Sequence, residues 1–456
     1  MEFMDIMTNL FENLISWLLG LPLVGFTLST GIFFTIYFKF PQLRLITHTI
    51  KYLNIGEFNK PKDKLGELNQ YEAFCTSLLS STGFASIIST ILALSTGGLG
   101  AIFWMWLAAF IGMSLQFSSV SLSMLFRTHD ENDERVRGGP MDAIINGLPK
   151  SAHFLAYLFA IGAVLGALFS GNLYQAHILS KHIENTLHIP DIATTTFLAI
   201  LVFFILRGGI KRIGRFAGII VPLTLGSFIL CLILILMQNI NLSVSTFGYI
   251  FKLAFSGKAL LGGTIGFIMR ELINEGARRT FLNTNIALGT SSIGASHANA
   301  RPVGQGIVSM LIPFIDVFIV STLTAIVITT TSSADPNANP LSNLVSSFES
   351  HLGPFGLYIL NIEYFLMAFM VIVGWGFCGM EGMRFLVGKK AHHYFLIFFS
   401  LITLAASFLK SGTLMMISNT ALTIIIIPNL LMCIFLSGAL KKHLKQYDAD
   451  MKAHRF

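Results

Sequence analysis

The chain has 456 residues, of which 54% are AVILMFWYC and 41 are Phe, while Asp, Glu, Lys and Arg together supply only 12%. A soluble domain carries about 25% charged residues, so half the expected charge is missing and most of the surface must meet lipid. That excludes a soluble enzyme, a disordered chain and a nucleic-acid module, even though the formal net charge is +7.

A membrane-crossing helix needs about 20 largely apolar residues. Eleven stretches qualify: 12–38, 72–95, 101–126, 151–180, 192–206, 216–238, 259–276, 303–330, 355–386, 394–410 and 413–439. The first does not read as a secretory signal, because Glu2, Asp5 and Glu12 stand where a basic start belongs. Cys75, Cys231, Cys378 and Cys433 all lie inside apolar runs, so a disulfide framework is not expected.

Alternating across eleven spans gathers 25 of the 30 basic residues on one side, beginning with Lys39, Arg44 and Lys51 and ending with Lys441, Lys442, Lys445, Lys452 and Arg455. Cytoplasmic loops accumulate Lys and Arg, which predicts an outside amino terminus and a cytoplasmic carboxyl terminus. The segment 331–354 is polar and turn-rich and falls outside; residues 50–70 and 128–140 are hydrophilic connectors inside. Residues 440–456 form a basic tail suited to anionic lipid heads. The whole of 1–456 reads as one membrane domain.

Two spans are interrupted. The second carries Thr76, Ser77, Ser80, Ser81, Thr82, Gly83 and Ser86, and the seventh opens with Gly262, Gly263 and Gly266. Unwinding at such places frees backbone groups to hold a polar solute, and irregular backbone survives at membrane depth only in protein or beside a cavity. If 12–38 is an extra leading helix, then 72–238 and 259–439 form two sets of five spans, each led by a Gly-broken helix running opposite to the other. Matched interruptions of this kind point to a transporter's central site, although Ser, Thr and Gly also serve close helix packing. Arg270, Glu271, Glu275, Asp316, Glu363 and Glu381 are charges within spans, costly to bury and therefore functional candidates. Glu381 and Arg384, one turn apart, can equally form a local pair, and Arg270 with Glu271 or Glu275 a gate pair or a structural one.

These residues lie among motifs that resemble the alanine or glycine:cation symporter family, the sodium:alanine symporters, over nearly the whole chain. Gly97-Gly98-Leu99-Gly100-Ala101-Ile102-Phe103-Trp104-Met105-Trp106 is similar to a GGPGAxFWMW signature with Leu99 in the Pro place. Gly138-Gly139-Pro140-Met141, Gly171-Asn172-Leu173-Tyr174-Gln175-Ala176 and Gly208-Gly209-Ile210-Lys211-Arg212-Ile213-Gly214-Arg215 resemble further family motifs in order. Pro302-Val303-Gly304-Gln305-Gly306, Phe314-Ile315-Asp316, Trp375, Gly379 and Ile427-Pro428-Asn429-Leu430 complete the series.

The resemblance implies an all-α integral membrane fold of the leucine-transporter type, five helices plus five inverted, preceded by one extra helix. It implies a symporter of small neutral amino acids such as alanine or glycine, working by alternating access in a plasma membrane, the inner membrane of a bacterium. It implies a substrate site at Ala85, Ser86, Ile87, Asn172, Gln175, Gly262, Gly263, Gly266, Phe267 and Trp375. No enzyme activity, cofactor, nucleic acid or protein partner is called for; the partners are the amino acid, a coupling cation and the bilayer.

The departures from the family pattern fall at ligand positions. Ser86 stands in the place of an Asn in the first break, and Phe281–Gly289 lacks a Glu and a Gly. A sodium site near Thr82, Gly83 and the Ala85 backbone would draw hydroxyls from the ninth span, but those positions are Met370 and Val371. His177 stands where the family commonly has Asn; it is a proton-carrier candidate, or else a hydrogen-bonded packing residue. A proton-coupled or uncoupled carrier, or a transporter-like amino-acid sensor, is the alternative.

Overall fold

The computed structural model describes residues 21–45, 48–49, 66–130, 135–255, 280–281, 285–331, 340–353, 355–409 and 411–453. The seventh span, with Gly262, Gly263, Gly266, Phe267, Arg270, Glu271 and Glu275, lies outside the described residues. Nearly everything described is helix; a two-stranded hairpin, β1 (Thr128–Asp130) and β2 (Arg135–Arg137), is the one sheet among the described residues.

The leading helix α1 (Leu21–Tyr37) packs on α4 (Ala101–Leu125). Between them the second span is split into α2 (Gln70–Leu79) and α3 (Phe84–Gly97). A capping box starts α2: Glu72 N donates to Asn69 Oδ1 at 2.8 Å and Asn69 N to Glu72 Oε2 at 3.3 Å. After the hairpin and a short α5 (Pro140–Gly147) comes α6 (Lys150–Leu187), then α7 (Asp191–Leu206), α8 (Gly209–Gln238) and α9 (Ile240–Phe255). The later half contributes α10 (Thr290–Ala295), α11 (Pro302–Thr331), α12 (Pro340–Leu352), α13 (Phe355–Val387), α14 (Lys389–Phe408) and α15 (Ser411–Lys452).

Seven of these helices are long and apolar enough to cross a membrane, and four shorter apolar helices accompany them among the described residues. The bundle turns large apolar side chains outward, including Phe197, Phe204, Ile219, Leu223, Leu230 and Phe251. Such a belt in water would aggregate; against acyl chains it is at no disadvantage. The interior is organised around α13, buried from Met367 to Gly382 and in contact with α2, α6, α8 and α14.

Three segments differ from the sequence reading. The connector after 238 is a further helix, α9, because Ser243, Thr246, Ile250 and Ala254 give it a buried stripe. The polar segment 331–354 carries α12. The tail continues α15 as one helix to Lys452 and folds its acidic residues onto the bundle, with Asp448 2.7 Å from Arg44 and Asp450 3.3 Å from Arg301.

Candidate functional site

The break between α2 and α3 arises from local competition for backbone carbonyls. Ser77 and Ser81 Oγ donate to the carbonyls of Ala73 and Ser77 at 2.9 and 3.1 Å, and hydroxyls that bond back in this way weaken a helix. Gly83 then runs extended (φ −166°, ψ −163°) before α3 begins with no side-chain cap. Close approach is why a glycine stands here: a Cβ on Gly83 would lie 2.2 Å from Val371 Cγ2 and 3.2 Å from the Met367 carbonyl. Two helix ends therefore meet inside the bundle, the C-terminal end of α2 with surplus carbonyls and the N-terminal end of α3 with surplus N–H groups.

A cavity of about 60 Å³ adjoins the break. Ser80, Ser81 and Gly83 form its floor, and Ile88, Ser89 and Leu92 carry it along α3. Ser170, Tyr174 and Gln175 of α6, Val371 and Trp375 of α13, and Ser418 and Asn419 of α15 close the sides. Its polar groups are hydroxyls and amides, and no charged side chain lines it among the described residues. Gln175 Oε1 and Ser418 Oγ are buried there with no hydrogen-bond partner among the described residues. Buried polar atoms are normally satisfied, so these two are groups a polar solute would complete.

Two local irregularities shape this cavity. In α6 the turn Ala167–Leu173 is π-helical, a feature that often accompanies functional sites. The missing side chain of Gly171 in that turn is the space Trp375 occupies, since a Cβ there would stand 2.1 Å from the Trp375 Cβ. Across the break, Asn285 adopts a left-handed conformation (φ 55°), which Asn tolerates better than most residues. Its Nδ2 donates to the Ser80 carbonyl and so holds the carbonyl of the residue that ends α2.

Of the residues expected from sequence, Gly83, Gln175, Val371 and Trp375 line the cavity. Ser86 and Ile87 are buried in the first turn of α3, as Thr82 is in the break, and Ala85 belongs to the same turn. Asn172 does not line the cavity: its Nδ2 donates to the Phe399 carbonyl at 2.7 Å and its Oδ1 accepts from Thr403 Oγ1 at 2.9 Å. His177 likewise turns to α14, with Nδ1 2.9 Å from the Ala406 carbonyl. Met370 is buried beside Val371, so neither α13 position offers the break a side-chain oxygen. Sequence reasoning missed Ser89, Ser170, Tyr174, Asn285, Ser418 and Asn419, although Tyr174 lies within the motif Gly171–Ala176 it quoted and Ser170 directly precedes it.

Apolar helices gathered round a polar cavity at a broken helix make this a multi-pass membrane transporter rather than an enzyme. The model of the sodium:alanine symporter family matches residues 4–455, and the chain belongs to that family. It is 31% identical over 453 residues to the sodium/alanine symporter AgcS of Methanococcus maripaludis, covering 97% of this chain and 98% of the relative. An uncharacterized transporter of Haemophilus influenzae is 30% identical (97% and 96% covered). The amino-acid carrier protein AlsT of Bacillus subtilis is 30% identical (80% and 75% covered).

Proposed function

We propose that the protein imports small neutral amino acids such as alanine or glycine together with a sodium ion, by alternating access at the break between α2 and α3. The carrying observation is the uncharged, hydroxyl- and amide-lined cavity at two opposed helix ends. A zwitterion has no net charge to neutralise. Its carboxylate suits the N–H groups opening α3 and its ammonium the carbonyls closing α2. The volume of about 60 Å³ takes roughly four to six water-sized groups, at about 10–15 Å³ each, which is the scale of alanine.

The reading takes the chain as eleven spans, a leading helix and two inverted sets of five, in a bacterial plasma membrane with the amino terminus outside. On that orientation the cavity, extending along α3, opens outward. The relatives named for sodium and alanine support the substrate and the ion.

Uptake into proteoliposomes tests this directly. Alanine and glycine should accumulate under an inward sodium gradient, and leucine should not. Uptake of leucine at the alanine rate would overturn the size argument. Alanine uptake indifferent to sodium but driven by external acid would overturn the sodium coupling.

A further inference from the structure

One wall of the cavity carries a hydroxyl that its own helix does not use. The inner stripe of α15 runs Leu414, Ser418, Ala421, Leu422 and Ile425, all buried and three or four residues apart or adjacent on one face, with Ser418 its one polar member. A hydroxyl within a helix ordinarily bonds back to the carbonyl four residues earlier. Its neighbours do this: Thr420 Oγ1 donates to the Met416 carbonyl and Thr423 Oγ1 to the Asn419 carbonyl, each at 2.9 Å. On the cavity floor Ser80 and Ser81 Oγ likewise donate to the Ser77 carbonyl, at 3.4 and 3.1 Å. Ser418 lines the cavity and is only 4% exposed, yet its Oγ has no hydrogen-bond partner among the described residues.

Gln175 Oε1, on the α6 side of the same cavity, is buried and without a partner among the described residues as well. Helix α15 packs along α6, its π-helical turn included, so one helix pair fixes both groups. In the transport mode proposed above, the substrate carboxylate meets the amides opening α3 and its ammonium the carbonyls closing α2. Neither charge needs Gln175 Oε1 or Ser418 Oγ, which leaves an acceptor and a hydroxyl for the substrate's side chain. A methyl group there would bury both unmet. A charged group would find no counter-charge, since no charged side chain lines the cavity among the described residues. A hydroxyl both donates and accepts, and the shortest side chain that carries one is the hydroxymethyl group of serine.

We infer that Ser418 and Gln175 read the substrate's side chain and select serine over amino acids of the same size that lack a hydroxyl. The serine hydroxyl donates to Gln175 Oε1 and accepts from Ser418 Oγ. This selection rests on the amino-acid site proposed above, and among small neutral amino acids it makes a β-hydroxy amino acid the preferred one.

The test is calorimetry on the purified full chain in sodium chloride, comparing L-serine with L-2-aminobutyrate, in which a methyl group stands where serine has its hydroxyl. Serine should bind about tenfold more tightly, as one buried hydrogen bond lost to an isosteric methyl group predicts. In Ser418→Ala the ratio of the two affinities should fall towards one. In Ser418→Cys, which keeps the size but donates and accepts weakly, the ratio should lie between. A merely structural role for Ser418 would weaken both ligands together and leave the ratio as it was. Equal affinities in the unaltered protein, or an undiminished ratio in both variants, would overturn the assignment, and the first comparison needs no variant to fold. Alanine binding without a preference for serine over aminobutyrate removes only the selection. No binding of serine, alanine or glycine removes the amino-acid site together with it.

Discussion

The two pieces of the broken helix live in different surroundings. Along α3 the cavity reaches Ile88, Ser89 and Leu92, so that side has room for a solute. Along α2 there is none: eight of its residues from Gln70 to Leu79 are buried, and Ser77 Oγ donates to the Ser291 carbonyl at 2.9 Å. Just before α2 the chain crosses the segment after α10. Glu67 N and Leu68 N donate to the His297 carbonyl at 2.9 and 3.0 Å, and Asn299 N to the Leu68 carbonyl at 2.7 Å. Arg127 Nη1 locks the crossing through the carbonyls of Ser296 and Ala298, at 2.8 and 2.7 Å. On this side, hydrogen bonds between two non-helical segments thus join the buried side chains of α2 and α10 in closing the bundle. Such a seal opens by losing a few bonds together, as the proposed alternating access would require.

Removing the lock should disturb this contrast most. Arg127→Ala deletes the two charge-assisted bonds and leaves buried carbonyls short of a donor, an expected cost of about 3 kcal/mol. Hydrogen exchange at 66–69 and 297–299 should accelerate, with the amides of α3 unchanged. Equal acceleration on both sides of the break would show that the seal is not a separate unit. A smaller effect is expected at the break itself. Gly83→Ala puts a methyl group into Val371, and overpacking of about 1–3 kcal/mol should cut the initial rate of alanine uptake about tenfold. Val371→Ala in the same chain should restore most of it. If the double variant is as slow as Gly83→Ala alone, the contact is not what Gly83 is there for.

The break was legible because its cause is local. A run of hydroxyls ending in Gly83 announces a helix that cannot continue, and resemblance alone set Val371 opposite it; the Gly83–Val371 contact agrees with both. Asn172, open between a place near substrate and an interhelical hydrogen bond, turns to the second for a reason no straight helix reveals. The π-helical turn Ala167–Leu173 fits an extra residue into one turn and rotates the facing of the residues after it by about 100°. Ser170, Tyr174 and Gln175 then line the cavity, while Asn172 faces Phe399 and Thr403. Helix α9 was hidden by Asn241, Ser243, Ser245 and Thr246, which dilute its hydropathy although two of them form its buried stripe. Asp316 stood out as a charge in an apolar span, but only the fold brings Ser86 to it. The seal was illegible altogether, being backbone paired with backbone at a distance of more than two hundred residues.

The closed side also carries a proton-dependent element. Asp142 of α5 is buried 3.4 Å from Arg137, with Glu381, Arg384 and His297 in its field. Burial pushes its carboxyl up to about 6, Glu381 adds to this, and Arg137, Arg384 and His297 oppose it. A folded-state value above the unfolded one means that the folded protein holds the proton more tightly. This contribution to stability is complete below about pH 4 and is lost as pH rises through about 6. Lowering the pH from 7.5 to 5.5 should therefore stabilise the unaltered protein by about 1 kcal/mol relative to Asp142→Asn. Glu67 does not obscure the comparison. Burial raises its carboxyl, but His297, the Val136 amide and Arg135 together outweigh that and hold it below the usual range. Its contribution is present throughout this window and is lost only in stronger acid. Identical pH slopes in the two proteins would place the charge of Asp142 in water rather than in the seal.

The smallest effect belongs to the end of α15, which touches the closed side from outside it. Asp448 meets Arg44 at 2.7 Å and Asp450 meets Arg301 at 3.3 Å, but in both pairs the side chains keep 30% or more of their exposure. Solvent screens such pairs, so Asp448→Asn should change the unfolding free energy by less than about 0.5 kcal/mol, and less again at high salt. Lys441 rests 3.8 Å above the Tyr37 ring and keeps the helix against α1 without either pair. Alanine uptake should accordingly be unchanged in Asp448→Asn. A drop comparable to that of Gly83→Ala would mean that the tail holds the seal shut, and that the two sides of the break differ through α15 as much as through the segments that cross beneath α2.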